Sequence, residues 1–171
     1  PIESIRLLAD VPVWMQVIVF LVLKDLLEWC VHNLLHRVPA LWEFHKLHHS
    51  IVDMDWIGNM RFHWMEIVVY KSLTYLPLVL LGISGHVILW VAVFSTLIGH
   101  LNHANLRISW GPLRYVLNSP RMHVWHHDVM MHRTSGQNFG IIFSTWDWLF
   151  GTVYWPVDEE QPDRLGVRGG G

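Results

Sequence analysis

Three observations predict an all-α chain of integral membrane helices with a cytoplasmic, histidine-rich helical cap around a di-metal site. Ten of the thirteen histidines fall into four tight clusters. Three apolar stretches interrupt a chain that is 52% hydrophobic and only 15% charged. A short glycine-bounded linker joins two of those stretches, so that the chain returns to the side it left. On an α-helix, positions three and four apart share a face. The clusters His32-x-x-x-His36, His45-x-x-His48-His49, His100-x-x-His103 and His123-x-x-His126-His127 can therefore each aim imidazoles at a common point. A buried imidazole needs a hydrogen-bond partner or a metal, and ten of them are too many for ordinary core residues.

The first apolar stretch, residues 13–23, continues through Lys24 and Asp25 into the first histidine pair. Residues 67–81 are apolar apart from a polar patch around Tyr70, Lys71 and Ser72, and residues 86–101 follow after Gly82-Ile83-Ser84-Gly85. Each stretch is shorter than the ~20 residues of a standard spanning helix, which keeps a soluble all-α protein with apolar core helices in play. Helical continuations at their ends lengthen them, and eleven tryptophans with four tyrosines suit a membrane interface. Lys71 is then expected to snorkel or to face the protein interior.

The linker at 82–85 is short enough to make an antiparallel hairpin of the two stretches it joins. All four clusters and His63 then lie on one side, and His86 alone sits at the hairpin tip. That places His86 roughly 24 Å from the clusters, at ~1.5 Å per residue over some sixteen residues. Arg37, Lys46, Arg61, Arg107, Arg114, Arg121 and Arg133 share the histidine side, so the positive-inside rule makes it cytoplasmic.

Beyond Leu101 the chain turns polar. Gly111-Pro112 and Ser119-Pro120 mark turns or helix starts, residues 121–131 read as a short helix, and 135–140 as a loop. Residues 146–152 read as a short helix ended by glycine. Residues 1–155 form one domain in this reading, and 156–171 a C-terminal tail whose last three glycines are disordered or an expression scar. A net charge of −2 gives no sign of nucleic-acid binding. Cys30 is alone, which excludes an intramolecular disulfide, argues against thiolate ligation and fits a reducing compartment. The first residues show no secretory signal, and a start at Pro1 without methionine leaves an earlier membrane segment open.

All-imidazole ligation suits zinc, copper, nickel or iron. The number of histidines argues for two metals, with up to five ligands each, because a tetrahedral zinc takes only three or four. Metal-bound histidines donate their other ring nitrogen to a carboxylate or carbonyl. Candidates for such outer support are Asp25, seven residues before His32, Glu66, three after His63, and Asn138 near the last triplet. Asp25 reads equally as a solvated helix-end charge, Glu28 as an interfacial charge, and His132 as a surface residue. His63 is either a supporting residue or lid of the site, or solvent-exposed. No His-Glu-x-x-His is present, which removes a zinc peptidase. Single axial histidines would be expected of a membrane haem protein, and a midplane site of a zinc transporter. A non-catalytic or transporting membrane zinc protein stays as the alternative.

The ordered series of motifs resembles one known family. His32-Asn33-Leu34-Leu35-His36, Trp42-Glu43-Phe44-His45-Lys46-Leu47-His48-His49-Ser50, Arg61-Phe62-His63-Trp64-Met65-Glu66, His103-Ala104-Asn105, residues 119–127, Asn138-Phe139-Gly140 and residues 146–152 look like the boxes of the fatty acid hydroxylase/sterol desaturase superfamily. The resemblance runs from residue 25 to residue 152. It implies integral membrane oxidoreductases with a histidine-ligated di-iron centre; zinc, which competes well for imidazole, can fill such a site in purified samples. Such enzymes use O2 and an external reductant to hydroxylate or desaturate an unactivated C–H position of a lipid, fatty acid or sterol. Carried onto this chain, the ligands are His32, His36, His45, His48, His49, His123, His126 and His127, completed by His103 and His100. No haem or flavin motif is present, so a separate electron-transfer partner is implied. Hydroxylation is favoured over desaturation.

Overall fold

The first apolar stretch and the first histidine pair belong to one helix, α1 (Val13–Arg37). In this computed structural model residues 7–167 are described, and among them there are isolated bridges but no strand. α1 stops because Val38 precedes a proline and is extended (φ −98°, ψ 112°). Pro39 then opens α2 (Pro39–His49), where its missing N–H costs nothing. A 3₁₀ turn at Trp56–Met60 starts on the Asp55 carboxylate, which accepts from the Ile57 N–H at 2.7 Å.

Helices α3 (Trp64–Leu80) and α4 (Gly85–His103) form the expected hairpin. Its tip is tied to the start of α1. Ser84 N donates to Gln16 Oε1 at 3.0 Å, and Leu8 N to the Leu81 carbonyl at 3.0 Å. The arms pack on α1 rather than along each other. Near the tip, Phe20 of α1 meets Leu78 of α3, Ile83 of the linker, and Val87 and Val91 of α4 in a buried core. Towards the histidine end the arms part, and a cavity of about 350 Å³ opens between them.

α4 is the one helix among the described residues that is long and apolar enough to cross a membrane. The neighbouring helices extend its apolar surface. Ile18 and Val22 of α1, Val68 and Leu76 of α3, and Leu89, Trp90 and Leu97 of α4 are all exposed. Apolar surface on this scale marks a face covered by something other than water.

The rest of the chain has little regular structure. α5 (Pro120–His126) is capped by Ser119, whose hydroxyl accepts from Met122 N at 3.2 Å. It ends five residues before the helix expected over 121–131, because the Asp128 carboxylate takes up the Met130 N–H and turns the chain. α6 (Thr145–Phe150) ends at Gly151, where φ is 73° as a left-handed helix stop requires. Residues 156–167, read from sequence as part of a tail, fold back onto the domain. Leu165 packs against Trp125 and Val124, and Gly166 N donates to the His127 carbonyl at 3.2 Å. The terminal glycines 169–171 lie outside the described residues.

Candidate metal centre

The structure gathers nine histidines into two adjoining groups. His32 and His36 from α1, His45 and His49 from α2 and His126 from α5 form one; in each group the candidate ligand atoms all lie within 4.8 Å of one another. His48 from α2, His103 from α4, His123 from α5 and His127 just beyond it form the other. Rings of the two groups touch, with centroids 4.5 Å apart for His49 and His127 and 5.4 Å for His45 and His48. Helix periodicity explains the division. His45 and His49 are four apart on one face of α2, whereas His48 is turned towards the other group.

Hydrogen bonds on the outer ring nitrogens fix which nitrogen faces inward. His32 Nδ1 donates to the Phe139 carbonyl at 2.9 Å and His126 Nδ1 to that of Gln137 at 2.7 Å. His103 Nδ1 donates to the Gly99 carbonyl at 2.7 Å, and His45 Nδ1 to the Glu66 carboxylate at 2.8 Å. Each of these rings then presents a bare lone pair on Nε2. His103 Nε2 lies 3.1 Å from His48 Nε2 and 3.2 Å from His123 Nε2. The inward nitrogens of His32, His36 and His126 and both nitrogens of His127 are buried without a hydrogen-bond partner.

Orphaned imidazole nitrogens crowded in this way are costly in an apolar interior. A shared cation removes the cost: ligands ~2.1 Å from one ion stand ~3.0–3.4 Å from each other, which matches these contacts. The residues therefore fit two metal ions. Burial pushes the His45, His48, His49, His123, His126 and His127 imidazoles well below the usual histidine range, and neighbouring rings add to the shift. Neutral imidazole is the form that binds metal.

His100, expected among the ligands, is brought into neither group. Its Nδ1 donates to the Trp56 carbonyl at 2.8 Å, and its ring lines the cavity. His63 caps α3, its Nδ1 accepting from Met65 N at 3.2 Å, and packs on Phe44. Glu66 alone of the four supporting candidates touches a ligand ring. His86 is exposed at the far end of α4, and His132 is bound to Asp128 at 2.6 Å and stacked on Tyr154.

Asp25 holds no histidine. Its carboxylate accepts from Ile142 N at 2.8 Å, Phe143 N at 3.1 Å and Trp146 Nε1 at 2.9 Å, clamping the segment whose carbonyls hold His32 and His126. Asn138, at φ 55°, ties the same segment to Met122 and Tyr154 through its side chain. Sequence reasoning missed Asp147, which accepts from Phe139 N, Gly140 N, Trp29 Nε1 and Thr152 Oγ1 at 2.6–3.0 Å. Burial pushes its carboxyl up, against the pull of those four donors. The available signal was a charge set in the aromatic run Trp146-Asp147-Trp148-Leu149-Phe150. The carbonyls of Gln137, Phe139 and Gly99 left no signal, since any residue supplies one.

The model of the family described as fatty acid hydroxylase matches residues 17–152. The chain is 34% identical over 158 residues to an ornithine lipid hydroxylase of Rhizobium tropici, covering 92% of this chain and 47% of the relative. It is 29% identical over 152 residues to methylsterol monooxygenase 1 of Rattus norvegicus, covering 86% and 50%. A methylsterol monooxygenase of Arabidopsis thaliana is 24% identical over 142 residues, covering 80% and 46%. The chain thus spans about half the length of the curated relatives it matches. No solved structure matches it.

Proposed function

The chain belongs to the fatty acid hydroxylase family, and from that premise we propose that it is the histidine-bearing part of a membrane di-iron oxidoreductase. It hydroxylates, rather than desaturates, an unactivated C–H position of a lipid, with O2 and an external reductant. The observation that carries this reading is the placement of His32, His45, His48, His103 and His123, drawn from both groups, at the floor of a cavity between α3 and α4, beneath apolar exposed faces. A substrate confined to the bilayer reaches such a floor sideways, without crossing water.

His32, His36, His45, His49 and His126 would hold one iron, and His48, His103, His123 and His127 the other. The irons, when bound, supply the redox chemistry that activates dioxygen with electrons from a separate partner. The chain supplies position and dryness. Glu66 and the carbonyls of Gln137, Phe139 and Gly99 keep the imidazoles in one tautomer and orientation. Phe62 stacks on His48 at 4.9 Å, and Phe139 lies against His32, His36 and His126, so two aromatic rings keep water from both groups. Small residues on α4, among them Ala92 and Gly99, leave the cavity open to a slender chain.

The names of two similar proteins, a lipid hydroxylase and a sterol monooxygenase, support hydroxylation. The arginines gathered with the histidines support a cytoplasmic metal site. Incubating the iron-loaded protein in membranes with isotopically labelled dioxygen and a reductant tests the reading. Label in a lipid alcohol is the expected result. An unlabelled alkene would transfer the chain to the desaturases, and a zinc-filled protein with no oxygen-dependent lipid turnover would make it a metal-binding protein.

A further inference from the structure

Resting on the lipid-oxidation reading, we propose that the cavity holds its substrate by an anionic group, a carboxylate or a phosphate, between Lys24 and Lys71. The carbon to be oxidised is then counted from that charged end.

Lys24 is fully buried on α1 and lines the cavity. It stands eight residues before His32, which is ~12 Å along the helix. Its Nζ lies 2.6 Å from Glu28 Oε1, and that contact uses one of three ammonium donors. The second oxygen of Glu28 is buried and has no partner. A buried ion pair kept only for stability needs its remaining donors and acceptors satisfied, and this one leaves them unspent beside a cavity.

A second ammonium faces the same place. Lys71 of α3 is exposed at the mouth, where the wall is otherwise Tyr75 and the α4 residues Ala92, Val93, Thr96 and Leu97 with His100. Lys24 Nζ and Lys71 Nζ lie 5.7 and 5.2 Å from the centroid of the Tyr75 ring, so one aromatic side chain joins them. Glu66 is engaged with His45. Lys24 pairs only with Glu28, and among the described residues Lys71 forms no ion pair, so its ammonium stands at the mouth without a carboxylate partner. Ionisable side chains within apolar helices line pathways for polar groups, because nothing else repays their desolvation. An anion on the incoming lipid completes the set, and its tail is directed to the histidines.

The test measures binding without turnover. The full chain in lipid nanodiscs is titrated calorimetrically with dodecanoate, dodecyl phosphate and 1-dodecanol, and protein-free nanodiscs give the partitioning background. A charge-assisted hydrogen bond contributes enough to favour at least one anion over the alcohol by ~10–100-fold. The tighter of the two anions identifies the headgroup. Lys71→Gln, a change at an exposed position, should cut that preference to ~3-fold or less, and Lys71→Arg should keep it. Equal binding of acid, phosphate and alcohol by the unaltered protein overturns the proposal, as does an undiminished preference in Lys71→Gln. With the iron-loaded protein, lengthening the acid should leave the hydroxyl at a constant distance from the charged end; a constant distance from the methyl end rejects the ruler. An inactive preparation that keeps the preference tells against the oxidation reading alone, and an active one without it tells against the anion site alone.

Discussion

The two halves of the metal centre are built by different means. Residues 13–103 aim their histidines by helix geometry: α1 and α2 each set imidazoles one turn apart, α4 supplies His103 from its last turn, and α2 and α4 pack on α1. Residues 118–154 have two short helices and a long irregular segment, yet Ser119, His127, Asn138, Phe139 and Asp147 are wholly buried. There the backbone is held by buried carboxylates and amides, chiefly Asp25, Asp147 and Asn138. The helical half can be read from spacing. The irregular half is rigid for reasons that only contacts reveal.

Removing one imidazole from either half should have the largest effect. His48→Ala and His126→Ala each take one ligand from a different group, so each should lose about one metal per chain and essentially all lipid oxidation. Metal analysis of the purified variants checks this. A His126→Ala protein with both metals and full turnover would falsify the grouping.

The next effect separates the halves. Asp147→Ala strands two backbone N–H groups and an indole N–H in the interior, at about 1–3 kcal/mol each, so the chain should lose about 3–9 kcal/mol of stability. Asp25→Ala should act likewise through Ile142, Phe143 and Trp146. Thermal unfolding measured on metal-free protein isolates this loss from ligation. If the irregular half were held by metal alone, neither substitution would move the unfolding of the metal-free chain.

A smaller effect belongs to Glu66. Glu66→Gln keeps the shape but weakens the hydrogen bond to His45 Nδ1, and metal affinity or turnover should fall ~10–100-fold, as for other outer partners of metal-bound histidine. Competition with a chelator measures it. Unchanged retention would mean that α2 alone fixes the His45 ring.

The same contrast explains what the sequence disclosed. The clusters, the hairpin and the histidine side follow from period and linker length, which are local properties. Glu66 stands out as a carboxylate three residues after His63, a visible residue type, but the ring it meets is that of His45. Asp25 is a visible carboxylate too, but its spacing to His32 points to a histidine, whereas its partners are Ile142 N, Phe143 N and Trp146 Nε1, more than a hundred residues away. His100 shares a face with His103 on α4, yet the 3₁₀ turn at Trp56–Met60 packs over that end and its Trp56 carbonyl takes the His100 ring. Periodicity states which residues share a face; it does not state how far along the face the site extends. His100→Ala should accordingly keep both metals and change turnover by ~3-fold or less, well below an outer-partner loss.

The smallest effect is expected at the far end of the hairpin. His86 opens α4 one residue after Gly85 and is exposed, seventeen residues before His103, or ~25 Å away along the helix. Nothing in the metal centre reaches that far, so His86→Ala should retain both metals, full turnover and unaltered unfolding. Its use lies in sidedness. His86→Cys, in a chain whose Cys30 is replaced by serine, should react with a membrane-impermeant maleimide from the face opposite the arginines, while a cysteine at His132 reacts from the arginine face. Labelling of both from one face would show that α4 does not cross the membrane and would return the apolar helices to a protein interior.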